Sequence, residues 1–231
     1  MNAMILIPAY NSASSLPAVL NKLRSYPDHL IVVIDDGSTD GSGDVARNLG
    51  ATLIRHDVNR GKGAALQSGF AYAAARNMDY VITMDADEQH PPEYIRDLLD
   101  MHRHSPDAVL LGTRKRSTEM PFHRKLSNAI SAYLISLRAG RKIYDAQCGF
   151  RLIPQPYYSW QLSAIRGFIF ESEALIALAA NNVPFIYVPI PTIYPEGHHS
   201  KMTYFDSTFG FIFMYIASFF KTYRQRNHDI R

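Results

Sequence analysis

Val81-Ile82-Thr83-Met84-Asp85-Ala86-Asp87-Glu88-Gln89-His90-Pro91-Pro92 is the stretch that decides the fold. A run of buried-strand character leads straight into two carboxylates one residue apart, and a proline pair opens the amphipathic segment that follows. Ligands of open α/β sheets sit beyond the carboxyl ends of the strands, so a strand ending in Asp-Ala-Asp delivers both acids to that rim. Side chains alternate along a strand, and Asp85 and Asp87 therefore point the same way where extended geometry persists. With the amide oxygen of Gln89 two residues on, they form a hard-oxygen donor set suited to Mg²⁺ or Mn²⁺. The competing reading is a solvated turn with helix-capping acids.

Upstream, residues 4–7 read as a short buried strand closed by Pro8-Ala9-Tyr10-Asn11. Ser12 or Ser14 is placed to cap a helix carrying Leu16, Val19, Leu20 and Leu23 at helical spacing. Residues 30–34 have the all-apolar look of a parallel strand buried on both faces, and they end in Asp35-Asp36-Gly37-Ser38-Thr39-Asp40-Gly41-Ser42. Residues 52–55 are a third strand. Asn59-Arg60-Gly61-Lys62-Gly63 starts a helix with Leu66, Gly69, Phe70, Ala73 and Ala74 on one face. Downstream, Ile95, Leu98, Leu99 and His102 give the next helix its inner stripe, and residues 108–111 form another strand. Strands alternating with helices at this spacing predict a mostly parallel α/β sheet with right-handed crossovers. Further on, Leu126, Ile130, Tyr133, Leu134 and Leu137 mark a helix, residues 185–189 a strand, and residues 191–201 a polar, glycine-bearing loop.

A chain of 231 residues suffices for one sizeable core, and no repeat, low-complexity tract or linker divides it. Its net charge of +3, without a basic run of five, argues against nucleic acid as a partner. The single cysteine, Cys148, excludes an internal disulfide framework and fits a reducing compartment. The first residues lack a basic n-region and a long apolar run, so the expected location is cytoplasmic. No uninterrupted apolar stretch reaches the roughly 18–20 residues that span a bilayer.

Asp35-Asp36 at a second strand tip reads either as a capped turn or as the carboxylate that holds ribose hydroxyls or a base edge. Two acidic tips on one sheet edge together suggest a nucleotide carrying a metal-bound diphosphate. The segment 59–63 is not a P-loop, because it lacks the earlier glycine and a Ser or Thr after Lys62. A glycine-bearing helix start with Arg60 and Lys62 still suits an anion, against the alternative of a solvated lysine. Arg114, Arg124, Arg151 and Lys201 are scattered cations in small-polar or glycine surroundings, candidates for a second anion site. His198-His199 has no acid or third histidine at ligand spacing and reads as loop lining. Cys148 reads as a packed thiol. From Phe209 to Phe220 the chain is apolar nearly all round, which places a helix in a core, an oligomer interface or lipid. The basic residues that follow, Lys221, Arg224 and Arg226, favour an interfacial helix.

Six segments in this order resemble the motifs of family 2 glycosyltransferases of the GT-A fold. They are Ile7-Pro8-Ala9-Tyr10-Asn11, Ile34-Asp35-Asp36-Gly37-Ser38-Thr39-Asp40-Gly41, Asn59-Arg60-Gly61-Lys62-Gly63, Met84-Asp85-Ala86-Asp87-Glu88-Gln89, Asp145-Ala146-Gln147-Cys148-Gly149-Phe150-Arg151 and Ser200-Lys201-Met202. The branch they look most like contains dolichol-phosphate mannose synthase and bacterial polyprenyl-phosphate sugar transferases. This resemblance implies that Pro8, Tyr10, Asn11, Asp35, Asp36, Lys62 and Asp85 bind the nucleotide sugar. It implies that Asp85, Asp87 and Gln89 hold a divalent metal, Mg²⁺ or Mn²⁺, on the donor diphosphate. Arg114, Arg124 and Ser127 would receive the acceptor phosphate, and Lys201 would contact donor phosphates from a loop, with Asp87, Arg114 and Arg124 central to catalysis. The family usually carries an arginine a few residues before Ser-Lys, where this chain has Tyr194-Pro195-Glu196, a departure that bears on donor-loop chemistry.

The reaction so implied is inverting transfer of a hexose from a GDP- or UDP-linked donor to a polyprenyl or dolichyl phosphate. A phosphate acceptor is already an anion and needs no general base, unlike a sugar hydroxyl. A rival within the class transfers to a hydroxyl of a growing glycan, with Glu171, Glu173 or Asp145 as base. A rival from another class is a non-catalytic scaffold that binds nucleotide sugars. The expected organisation is a GT-A domain over residues 1–204 and an apolar, then basic, C-terminal helix over 205–231 at a membrane surface. Such a protein would sit peripherally on the cytoplasmic membrane face, with a membrane-embedded flippase or transferase as a reasonable partner and homo-oligomerisation left open.

Overall fold

Strands with continuous apolar runs take the middle of one seven-stranded sheet, where both faces are covered. The structure is a computed structural model that describes residues 2–114, 122–162, 170–191, 204–221 and 223. Its first half runs β1 (Ala3–Ala9), α1 (Leu16–Leu23), β2 (His29–Asp35), α2 (Ser42–Asn48), β3 (Thr52–Arg55), α3 (Lys62–Ala75) and β4 (Tyr80–Thr83). The second half runs α4 (Ile95–His104), β5 (Val109–Arg114), α5 (Phe122–Ala139), β6 (Arg151–Pro154), α6 (Tyr158–Leu162), α7 (Phe170–Ala180), β7 (Phe185–Ile190) and α8 (Tyr204–Phe220). The sheet order is β3-β2-β1-β4-β6-β5-β7. β1 pairs in parallel with β2 and β4, β2 with β3, and β5 with β7, while β6 lies antiparallel between β4 and β5. The predicted mostly parallel α/β sheet is therefore the observed one.

Alternation along the strands divides the core in two. Ile5 and Ile7 of β1, Val33 of β2 and Ile82 of β4 face α1 and α4, meeting Leu16, Leu20, Leu23, Ile95 and Leu98. Met4, Leu6, Val32, Ile34 and Val81 face the other way, onto Leu66 and Phe70 of α3 and Leu175 and Ile176 of α7. Each of these fully buried aliphatic side chains contributes on the order of 1.5–3 kcal/mol. Helix α3 lies so close to β1 that a Cβ on Gly69 would come within 2.3 Å of a Leu6 methyl, which explains a glycine on its inner face.

Four elements, α2, α6, β6 and α7, have no counterpart in the sequence reading. β6 is only four residues, opens on an arginine and closes on a proline, so it carries no strand pattern of its own. Helix α7 is buried from Ser172 to Ala179, so its apolar residues show no helical period to read. The first helix also starts later than expected: Ser12 accepts backbone N–H groups of Ser15 and Leu16 through its carbonyl, and the helix begins at Leu16 after a turn.

Helix α8 is two-faced. Met214 and Ser218 are buried, and the Arg138 guanidinium of α5 donates to the Ser218 carbonyl and hydroxyl. Ile212, Ile216, Phe219 and Phe220 are exposed on the other side. Among the described residues no helix is long and apolar enough to cross a membrane.

At the opposite end of the strands from the acidic tips, His29 and His102 flank Tyr80. Burial pushes both imidazoles below the usual histidine range, against weaker opposing pulls from Asp28 on His29 and from Asp107 and Asp79 on His102. A depressed folded value means that the unfolded chain binds more protons. Stability should therefore fall as pH drops below about 6.5, the unfolded histidine value, and level off below the folded values. Urea midpoints at pH 7.5 and 5 should differ less in the double variant His29→Gln/His102→Gln than in the parent chain. An equal pH difference in both would remove these histidines as the cause.

Candidate active site

Register brings the chemistry together. Ala9 pairs with Asp35, Asp35 with Arg55 and Leu6 with Thr83, so the carboxyl ends of β1 to β4 share one rim. β6 runs the other way: its first residue, Arg151, pairs with Thr83, and Thr83 Oγ1 donates to the Gly149 carbonyl at 2.6 Å. Segment 145–151 thus enters the same rim from the start of a strand, and Arg114 ends β5 beside it.

Strand β4 ends at Thr83, two residues before the first acid. The alternation expected to aim Asp85 and Asp87 alike does not extend to them, because the chain bends through residues 86–88 and Glu88 takes φ +62°. Asp87 Oδ1 accepts the Gln89 backbone N–H at 3.1 Å, which folds the acid back over the turn. Behind Asp85 lies His90, buried against Phe150, with Nδ1 accepting the Asp85 backbone N–H at 3.2 Å. That bond puts the imidazole proton on Nε2, which faces Cys148 Sγ at 3.8 Å. Burial holds His90 neutral, outweighing the pull of Asp85 and Asp87. Cys148 is the packed thiol expected: burial, then the charge of Asp145, pushes it up to about 12.

Lys62, the first residue of α3, reaches across to Asp85 Oδ1 at 2.5 Å and Glu171 Oε1 at 3.1 Å. Burial works against its charge, but the two carboxylates win and raise its affinity for the proton. Asp85 in turn would be raised by burial, yet the Lys62 ammonium draws it down to about 2. Asp87 goes the other way: burial and the Asp85 charge raise it above the carboxylate range. Three carboxylates around one ammonium leave surplus negative charge, and Asp87 bears it. All donors of Asp85, Asp87 and Gln89 are hard oxygens, so this set fits a divalent cation such as Mg²⁺ or Mn²⁺. Among the described residues no group of three His, Cys, Asp or Glu side chains forms a metal cage. Two carboxylates with the remaining positions left to phosphate oxygens is the usual arrangement for Mg²⁺.

Other expected site residues take different places. Tyr10 is exposed at the tip of β1, and Asn11 follows at φ +48° with its side-chain oxygen accepting the Thr39 N–H at 2.9 Å. Asp35 turns inward and is 0 % exposed, its Oδ1 accepting the Ser38 N–H, so it shapes the turn below the rim. Asp36 accepts the backbone N–H groups of Arg60 and Gly61 at 3.0 and 2.7 Å. Arg114 forms a bidentate pair with Asp145, at 2.7 Å from Nε and 2.9 Å from Nη2, which lowers the Asp145 carboxyl against the effect of its burial. Arg151 is no part of an anion site: it is buried and donates to the carbonyls of Cys148, Ala146 and Glu171, stapling the 146–148 turn to α7. Ser127 is exposed on α5. The side chain of Arg124, with Lys201, His198 and His199, lies outside the described residues. The partners that sequence reading missed are His90, Asp145 as the orienter of Arg114, and Glu171 as the second anion on Lys62. Only His90, adjacent to the acidic turn, carried a local signal.

The motif order and the sheet agree with what the chain is similar to. The profile of the family described as glycosyl transferase family 2 matches residues 4–159. A UDP-N-acetylglucosamine–dolichyl-phosphate N-acetylglucosaminyltransferase of Methanococcus voltae is 28% identical over 215 residues, covering 83% of this chain and 86% of that protein. An undecaprenyl-phosphate mannosyltransferase of Micrococcus luteus is 28% identical over 216 residues, 88% of each chain. In fold, the chain resembles the glucosyl-3-phosphoglycerate synthase of Mycobacterium tuberculosis crystallised with Mn²⁺, UDP-glucose and phosphoglyceric acid, with a TM-score of 0.72 and 16% identity over 94% of this chain and 78% of that one. The chain belongs to glycosyl transferase family 2: it is a glycosyltransferase of GT-A fold.

Proposed function

We propose that this glycosyltransferase moves a hexose from a nucleotide diphosphate sugar to a polyprenyl phosphate at a membrane surface, inverting the anomeric centre. The observation that carries the reading is that each carboxylate considered as a base for a hydroxyl acceptor is already bound to a cation. Asp145 holds Arg114, Glu171 holds Lys62, and Glu173 holds Lys221 at 2.5 Å on the far side of α7. A phosphate acceptor needs no base, and the relatives whose names specify dolichyl or undecaprenyl phosphate use one.

In this reading the phosphate oxygen forms the new bond to the anomeric carbon. The bond to the donor diphosphate breaks, and its electron pair leaves with the nucleoside diphosphate. Asp85, Asp87 and Gln89 would hold Mg²⁺ or Mn²⁺, which supplies Lewis-acid charge where the leaving group develops its own. Lys62 lies at the start of a helix beside Asp85, in place to meet the donor phosphates. Arg114, fixed by Asp145, presents its remaining N–H donors to the acceptor phosphate, with Arg124, Ser127 and Lys201 completing the anion contacts. Pro8, Tyr10, Asn11 and Asp36 border the nucleotide.

Membrane contact is supported by a second apolar stripe. Leu126, Ile130, Tyr133 and Leu137 are exposed at helical spacing along α5, which is bonded to α8 with its own exposed Ile212, Ile216, Phe219 and Phe220. Residues 122–144 carry five Lys or Arg and no acid, a composition suited to anionic headgroups.

The test is transfer of radiolabelled sugar into an organic-extractable product, with purified protein, short polyprenyl phosphate, Mn²⁺ or Mg²⁺ and a panel of UDP- and GDP-sugars. A metal-dependent, acid-labile lipid product is the expected result. Label on a soluble glycan instead would establish the hydroxyl-acceptor reading, and absence of both transfer and donor hydrolysis would establish a binding protein.

A further inference from the structure

Asp36, His56 and Ser68 form a buried hydrogen-bonded array that ends under Lys62. His56, just past β3, is 8% exposed and Asp36 3%. His56 Nδ1 lies 2.6 Å from Asp36 Oδ1, and His56 Nε2 lies 2.9 Å from the hydroxyl of Ser68 on α3. The same Oδ1 also accepts the Arg60 N–H, and Oδ2 accepts the Gly61 N–H; these are the two donors immediately before Lys62. A carboxylate has about four lone-pair sites, and three of these are occupied here. Asp36 therefore acts mainly on the 59–61 loop.

That loop needs holding. Gly61 adopts φ +86° and ψ 155°, a conformation open to glycine, and α3 begins without a side-chain cap. Gly37 packs so tightly beneath it that a Cβ there would lie 2.5 Å from the Val58 carbonyl carbon. Unsatisfied N–H groups at a helix start turn to whatever acceptor is in reach. Asp36 supplies that acceptor, sharing the Gly61 N–H with Asn59 Oδ1 at 2.9 Å, and the bond from His56 orients its carboxylate. Ser68, on the second turn of the same helix, closes the array back onto α3.

We infer that His56, with Ser68 behind it, is a positioning residue for the transfer reaction: through Asp36 it fixes the 59–61 loop and so delivers the Lys62 ammonium to the rim beside Asp85. His56 touches neither substrate nor metal in this role. Its Nδ1 proton goes to Asp36, and Nε2 accepts the Ser68 hydroxyl proton when the ring is neutral. When the ring is charged, Ser68 turns to accept instead, so the array survives either protonation state. The inference rests on the reading that Lys62 meets the donor phosphates.

The experiment measures binding of UDP and of GDP with Mn²⁺ by titration calorimetry, alongside donor KM and kcat, using whichever nucleotide the unaltered chain binds. His56→Leu keeps bulk and removes both ring nitrogens; His56→Gln keeps an N–H donor for Asp36; Ser68→Ala removes the far end; Lys62→Ala removes the delivered charge. The expected pattern is weaker nucleotide binding and a higher donor KM in His56→Leu by roughly tenfold, kcat changing far less. His56→Gln should recover most of that loss, and Ser68→Ala should lose about two- to threefold. If His56→Leu does not fold, the Gln and Ala variants still decide, because His56→Gln should then lie near the parent and Ser68→Ala between. Parent-like binding in Ser68→Ala and His56→Leu, with Lys62→Ala weakened, overturns the array while leaving Lys62 on the donor. Parent-like binding in Lys62→Ala overturns the reading on which the array rests.

Discussion

Replacing Asp87 with Asn should lower sugar transfer by about 10³-fold while leaving the fold as stable as before, or more so. The loss corresponds to several kcal/mol of leaving-group stabilisation when the carboxylate that completes the metal site becomes a neutral amide. The stability sign follows from the free protein. Burial and the neighbouring Asp85 charge raise the Asp87 carboxyl above its ordinary range. A raised folded value means that ionising Asp87 opposes folding as pH rises through that range, and the amide removes this cost. The asparagine carbonyl can still accept the Gln89 N–H that shapes the turn. Activity and thermal midpoint should therefore move independently, activity down and midpoint level or up. Near-full transfer in Asp87→Asn would remove the acid from the metal site, and a large drop in midpoint would recast it as a structural residue.

Replacing Asp145 with Asn should cost about 3–5 kcal/mol of stability, the penalty for stranding one partner of a buried ion pair. The side chains of Arg114 and Asp145 are only 16% and 10% exposed. Asp145 Oδ1 also accepts the Gln147 and Cys148 N–H groups at 3.1 Å, so the amide weakens the turn into β6 as well. Urea denaturation checks the size. The double variant Arg114→Met/Asp145→Leu should be less damaged than Asp145→Asn, because it leaves no uncompensated charge. The depressed Asp145 carboxyl sets the pH behaviour: the pair's contribution is complete above about 3.9, the unfolded aspartate value, and fades as pH falls below it. A cost under 1 kcal/mol would mark the pair as solvent-screened, like an exposed salt bridge. In the transfer assay the same variant should raise acceptor KM, since Arg114 loses the partner that orients it.

Both effects come from groups whose residue types, but not whose partners, were legible in the chain. Apolar runs marked β1, β2 and β4 because burial on both sheet faces leaves a continuous hydrophobic signal. Acids after β2 and β4 marked the rim, since strand ends and turns are local events. Asp35 shows the limit of such reasoning. It stands at a strand tip in sequence, yet one residue of register turns it under the rim and leaves Asp36 to meet the loop. Arg151 looked like an anion-binding cation and is a staple, because its buried guanidinium is spent on three backbone carbonyls.

The sequence alone determined the α/β architecture, the family and the acidic rim, because periodicity, turn chemistry and motif order are written in neighbouring residues. Only the tertiary structure decided which charges meet. The antiparallel entry of β6 reverses the chain beside β4 and carries Asp145 to Arg114, and the wholly buried α7 carries Glu171 to Lys62. Neither element has a local signature, and the energy of a buried ion pair depends on a partner far away in the chain. That dependence is why the pairing of the site appears only once the sheet is closed.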